Sequence, residues 1–304
     1  MKTAKNPMVR TITTILDQRH FLECPRWHKD RLWFVDLYSC EVLSVAEDGT
    51  DLRVEAYVPG QPSGLGWLPD GRLLVVSMRD RRILRREPDG ELITHADLND
   101  LATGNLNDMV VDAYGRAYVG NFGFDLMAHE PIQAAALVRV DPDGTATTVA
   151  DGLLFPNGSA ITEDNVLLVG ESFGNRISAF DIAADGSLGS RRDWARFGEP
   201  PSANQLEAAF SQLVIGPDGC ALDAEGALWI ADGIGGRLVR VIPGGEIVEE
   251  IHPGTGVFAC MLGGRDGRTL YACVAPDFHE EHRRAARDGS LVAVRVDVPR
   301  AGRP

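Results

Sequence analysis

Ten or eleven residues upstream of six recurring anchors, Trp33, Leu74, Tyr118, Leu167, Trp229 and Leu270, stand Glu23, Gly64, Asn107 with Asp108, Asn157, Asp218 and Cys260. Most of these positions carry a carboxylate or a carboxamide. Hard oxygen donors of this kind suit one divalent cation, calcium first by ligand type, with magnesium, manganese or zinc also accommodated. Two carboxylates offset the ion's charge, and neutral amides fill out the set. Asn and Asp at strand starts also cap turns, which is the competing use of each residue taken singly. Turn chemistry gives no reason for the alignment from one copy to the next.

The anchors are separated by 41, 44, 49, 62 and 41 residues. Each lies in a strand that returns from a tight polar turn, as in LPDGRLLVVS from Leu68, DAYGRAYVG from Asp112 and DAEGALWIAD from Asp223. Such periods, with four short strands apiece, predict an all-β fold, a six-bladed β-propeller with four-stranded blades, and one domain over residues 1–304. Blade one parses as strands at Glu23–Trp27, Leu32–Asp36, Glu41–Ala46 and Leu52–Val58, with turns at residues such as Asp48 and Gly49. The segment Val9–Leu16, VRTITTIL, belongs to no blade, so it is expected to complete blade six and close the ring; a loosely attached arm is the alternative.

Inner strands line the channel of a propeller, so the aligned oxygen-bearing residues should converge at one rim. Strand parity puts three irregular insertions on that same rim: Gly123–Ala136, Phe197–Gln212 and Pro276–Gly289. Long loops gathered on one face are where binding usually resides.

Composition narrows the partners. The chain has 44 acidic and 30 basic residues, a formal net charge of -14, which disfavours nucleic acid and anionic membranes. No stretch approaches the ~20 apolar residues needed to span a bilayer and no signal-peptide core is present, so a cytoplasmic protein is expected. Five cysteines without knuckle spacing read as buried thiols. There is no G-x-S-x-G elbow and no G-x-G-x-x-G opening a helix, so neither serine catalysis nor a nicotinamide or flavin role is supported. No heptad demands a dimer; a monomer or weak homo-oligomer is expected.

Several segments carry a resemblance. LECPRW at Leu22–Trp27, NLND at Asn105–Asp108, FPNG at Phe155–Gly158 and PDGCALDAEGALWIAD at Pro217–Asp232 resemble the senescence marker protein (regucalcin), gluconolactonase and luciferin-regenerating enzyme family. That resemblance implies Glu23, Asn157 and Asp218 as metal ligands, with Asn107 beside the metal and contacting substrate. It also implies hydrolysis of a small-molecule lactone or related ester. The carbonyl would be polarised by the cation, and Asp218, or in second place Asp108, would take a proton from the attacking water.

Two departures bear on the substrate. Asn105 replaces the family's frequent arginine, and Met109 replaces the glycine after its aspartate. Together with Phe122 and other aromatic residues of the insertions, they make the pocket less suited to a polyhydroxy lactone, so either a sugar lactone or a more apolar lactone is expected. A non-catalytic metal or small-ligand binder and a scaffold for protein partners are the competing readings.

Overall fold

The computed structural model describes residues 10–303, so Val9 of the N-terminal segment lies outside the described residues. Six four-stranded antiparallel sheets make up the described chain. Their inner strands are Leu22–His28, Pro62–Trp67, Leu106–Val111, Pro156–Ile161, Pro217–Leu222 and Gly256–Gly263. Each inner strand packs on the next, and the sixth packs on the first, giving a six-bladed propeller. The strands of blade one, Leu22–His28, Arg31–Asp36, Glu41–Val45 and Arg53–Tyr57, fall close to their predicted bounds.

The sixth sheet draws on both ends of the chain. Its outer strand is Ile12–Arg19, antiparallel to Gly289–Arg295, with Ile12 opposite Val294 and Arg19 opposite Gly289. The β-branched run Ile12–Ile15 favours this pleated, half-buried position. Blade six also grips blade one through Trp27 and Tyr271, whose rings stack at 5.9 Å, and through the Tyr271 hydroxyl, which donates to the Glu47 carbonyl at 3.1 Å. The turn at Gly49 can approach this seam only as glycine. Its φ is +83°, and an added Cβ would lie 2.1 Å from the Ile15 carbonyl oxygen.

Five of the six anchors, Leu74, Tyr118, Leu167, Trp229 and Leu270, are fully buried between blades. All five cysteines are free; four are buried and Cys40 is half-buried. Among the described residues no helix is long and apolar enough to cross a membrane.

The residue pattern carries no mark of the C-terminal segment's course. Pro299–Arg303 runs across the far ends of the inner strands. The Ala301 N–H donates to Leu222, and Ile161 and Arg303 exchange two backbone hydrogen bonds of 2.8 and 2.9 Å. The segment thereby pairs backbone groups at the end of the channel opposite the aligned residues.

His28 ends the first inner strand, with its ring stacked on Trp67 at 3.9 Å. Burial, with the charge of Lys29 adding to it, pushes its pKa down to about 4. Between that value and the ordinary one near 6.5, the unfolded chain binds a proton that the native chain refuses, so stability falls as pH drops through this window. His28→Gln is expected to flatten this part of a plot of Tm against pH. An unchanged slope would contradict the assignment.

Candidate active site at the channel rim

The ladder pairs Leu22–Asp36, Pro62–Ser77, Leu106–Asn121, Pro156–Glu171 and Pro217–Asp232 occupy equivalent places in blades one to five. A register shift follows in each inner strand. Such bulges re-aim side chains and are common beside active sites. The residues next in sequence to the first members are Glu23, Ser63, Asn107, Asn157 and Asp218, and all five line one cavity of about 120 Å³. Four of the oxygen-bearing residues picked out from the sequence are thus brought together.

The second members, Asp36, Ser77, Asn121, Glu171 and Asp232, are buried at the rim ends of the second strands. They pin the adjoining turns: Asp36 accepts the N–H groups of His20 and Phe21, and Asp232 those of Gly216 and Gly235. Sequence reasoning passed over them. Their signal was the polar residue closing each apolar strand, in FVD, VVS, VGN, VGE and IAD.

Other expected positions lie elsewhere. Blade two presents Ser63 rather than Gly64, and blade six presents Phe258 rather than Cys260, whose thiol faces the Gly219 carbonyl. A fixed count back from the anchors misses by one or two residues where a strand bulges. Gly64 instead lets blades two and three close up, since a Cβ there would lie 2.5 Å from the Met109 nitrogen.

Met109 is wholly buried between blades with Leu74 and Val76 and does not line the cavity. The register shift between Leu106 and Met109 breaks the two-residue alternation that would have put it beside Asn107. Asn105 is half-buried and also outside the lining, and its carbonyl accepts the Phe122 N–H at 2.9 Å. Asp108 lies outside the lining too. Its Oδ1 accepts Arg26 Nη2 at 2.5 Å and the Met109 N–H at 2.8 Å, which leaves it poorly placed as the second candidate base. Phe122 does line the cavity, stacked on Phe155 at 4.3 Å.

The electrostatics of the cavity are unbalanced. Burial pushes the Glu23 carboxyl up to about 8, with the charge of Asp108 adding to the rise. Burial, reinforced by the charge of Glu23, holds Asp218 well above the ordinary carboxylate range. Among the described residues no Lys, Arg or His lines the cavity, and the charge of Arg26 offsets only part of the rise at Glu23. Asn157 Nδ2 donates to Ser172 Oγ at 3.1 Å. The amide nitrogen is thereby engaged, and the carbonyl oxygen is left as a donor of electron density.

This donor set fits a divalent cation held by Glu23, Asn157 and Asp218. Among the described residues no group of three or more His, Cys, Asp and Glu could hold a metal ion, and the set here is two carboxylates with an amide. Asn107 Nδ2 is buried without a hydrogen-bond partner. As an N–H donor it suits a substrate oxygen rather than an ion.

A larger cavity of about 1130 Å³ lies outside the first and contains none of these oxygen-bearing residues. Its walls come from all three insertions, including the short helices α1 (Leu206–Phe210) and α2 (Glu280–Ala285). His129, His279 and His282 belong to this antechamber, away from the carboxylates.

Comparison with known proteins agrees with the propeller fold. The SMP-30/gluconolactonase/LRE-like region matches residues 21–275. Pentonolactonase XacC of Haloferax volcanii is 30% identical over 304 residues, covering 97% of each chain. Regucalcin of Danio rerio is 25% identical, covering 86% of this chain and 85% of its own. The crystal structure of a calcium-binding protein, regucalcin, from Agrobacterium tumefaciens shares the fold at a TM-score of 0.76. It is 20% identical and the match covers 98% of this chain and 97% of that one. The chain is a member of the SMP-30/gluconolactonase/LRE-like family.

Proposed function

We propose that this chain is a divalent-cation-dependent lactonase, opening a small cyclic ester by hydrolysis. The observation that carries the reading is the convergence of two half-buried carboxylates and two amides at equivalent bulges of four blades, in a cavity that no cationic side chain of the described residues lines. The pentonolactonase relative supports the reaction class.

When bound, a cation held by Glu23, Asn157 and Asp218, calcium by the hardness of the donors, supplies polarisation of the lactone carbonyl. Asn107 Nδ2 donates to an oxygen of the ring ester and fixes its orientation. Asp218, which the bulge aims into the cavity beside Glu23 and Asn157, takes the proton of the attacking water. The water oxygen bonds to the acyl carbon, the acyl–oxygen bond of the ring breaks, and the proton passes to the departing alkoxide. The carboxylic acid product ionises at neutral pH. Asp108, tied to Arg26, positions the floor of the site rather than moving protons.

The test is a pH-indicator assay on the purified protein with sugar, aliphatic and aromatic lactones, before and after chelation and with calcium, magnesium, manganese or zinc restored. Ring opening should stop on chelation and return with one of the ions. An ion that stabilises the fold while no lactone is opened would make the protein a binder and defeat the proposal.

A further inference from the structure

We infer that the substrate is a lactone carrying an apolar alkyl or aryl group rather than a polyhydroxylated sugar lactone; this rests on the lactonase reading above. Aromatic contacts run round the inner cavity from blade three to blade six. Phe122 meets Phe155 at 4.3 Å, Phe155 meets Phe173 at 5.7 Å and Phe173 meets Phe210 at 5.2 Å. Phe210 then meets Phe278 at 6.0 Å, and Phe278 meets Phe258 at 6.4 Å. All six rings line the cavity. Aromatic faces of this kind bind apolar surface and give a sugar hydroxyl nothing to bond.

The polar groups beneath this collar are largely committed. The Ser172 hydroxyl donates to the Pro217 carbonyl at 2.7 Å and accepts from Asn157 at 3.1 Å. Ser63 Oγ lies 3.6 Å from the Cys24 thiol. Glu23, Asn157 and Asp218 are assigned to the cation, which leaves the free Nδ2 of Asn107 and the Tyr38 hydroxyl as the spare side-chain donors of the lining. One donor serves the ester group of a simple lactone. Most of the several hydroxyls of a sugar lactone would be buried without partners, each at a cost to binding.

Shape agrees. The inner cavity, at about 120 Å³, has room for one small ring, and it shares Leu126, Met127, Phe210 and Phe278 with the antechamber of about 1130 Å³. A ring seated at the carboxylates can therefore send an apolar substituent outward past Phe210 and Phe278.

The experiment compares gluconolactone with alkyl-substituted and aryl-fused six-membered lactones on the cation-loaded protein, each kcat/KM being divided by the substrate's own uncatalysed rate. The apolar lactones should exceed gluconolactone by about 10-fold or more, the scale on which a hydrophobic pocket discriminates. Phe210→Ser and Phe278→Ser, at half-buried positions on the insertions, should each cut that ratio several-fold. A preference for gluconolactone, or a ratio unmoved by both substitutions, overturns the inference and leaves the lactonase reading standing. Failure to open any member of either class overturns both.

Discussion

Glu23→Gln and Asp218→Asn should each lower kcat/KM for lactone opening by about 10³-fold or more, the order lost when a principal stabiliser of developing negative charge is removed. Each substitution keeps the shape of the side chain and removes a charge from the donor set, so cation affinity should fall with activity. The same change should help the fold. Both carboxyls are half-buried and desolvation raises them above their ordinary range, and an amide of the same shape avoids desolvating a charge. In chelator, each variant should therefore melt no lower than the parent chain, and the Glu23 variant should melt increasingly higher from about pH 4.5 to about pH 8, where the unfolded carboxyl is ionised and the native one resists ionisation. Activity lost together with a lower chelated Tm would assign these residues a structural role instead. On the proposed reading the site stores instability that a bound cation would relieve, which is a common relation between function and stability.

Arg26→Met should produce the largest loss of stability of any single change near the site, about 3–5 kcal/mol, because it breaks a buried ion pair by removing one partner. Arg26 is 3% exposed, and it donates to Asp108, to the Met109 carbonyl at 2.9 Å and to the Pro25 carbonyl at 2.9 Å. Without it, Asp108 would stand buried and unpaired under Glu23 and Asp218. The double change Arg26→Met with Asp108→Leu should recover much of the loss, since it removes the orphaned charge as well. Urea unfolding of the two variants at one pH measures this. A double variant as unstable as the single one would show that the pair contributes little beyond packing.

The ring of blades was legible because each copy repeats a polar turn and a returning apolar strand, a signal local to some ten residues. Glu23, Asn107, Asn157 and Asp218 were legible for the same reason, as constant offsets from Trp33, Tyr118, Leu167 and Trp229. What was misread lies next to a bulge. Gly64 stood in for Ser63, and Met109 was expected to face the cavity that Asn107 faces, because a register shift has no mark in the residue pattern.

The apolar character of the cavity was expected from Phe122 and other aromatic residues of the insertions together with Met109 and Asn105; Phe122, Phe210 and Phe278 line it, joined by Phe155 and Phe173, while Met109 and Asn105 do not. The course of Pro299–Arg303 was illegible for another reason. It is held by backbone hydrogen bonds, which any sequence without an interfering proline can make.

The central claim is that Glu23, Asn157 and Asp218 hold one divalent ion at the channel rim. Calorimetric titration of calcium into the chelated protein, run in parallel on Glu23→Gln and Asp218→Asn, tests it most directly. One saturating ion per chain, with the binding heat lost in both variants, is the expected result. Binding that survives both substitutions unchanged, or no binding of calcium, magnesium, manganese or zinc by the parent chain, would contradict it.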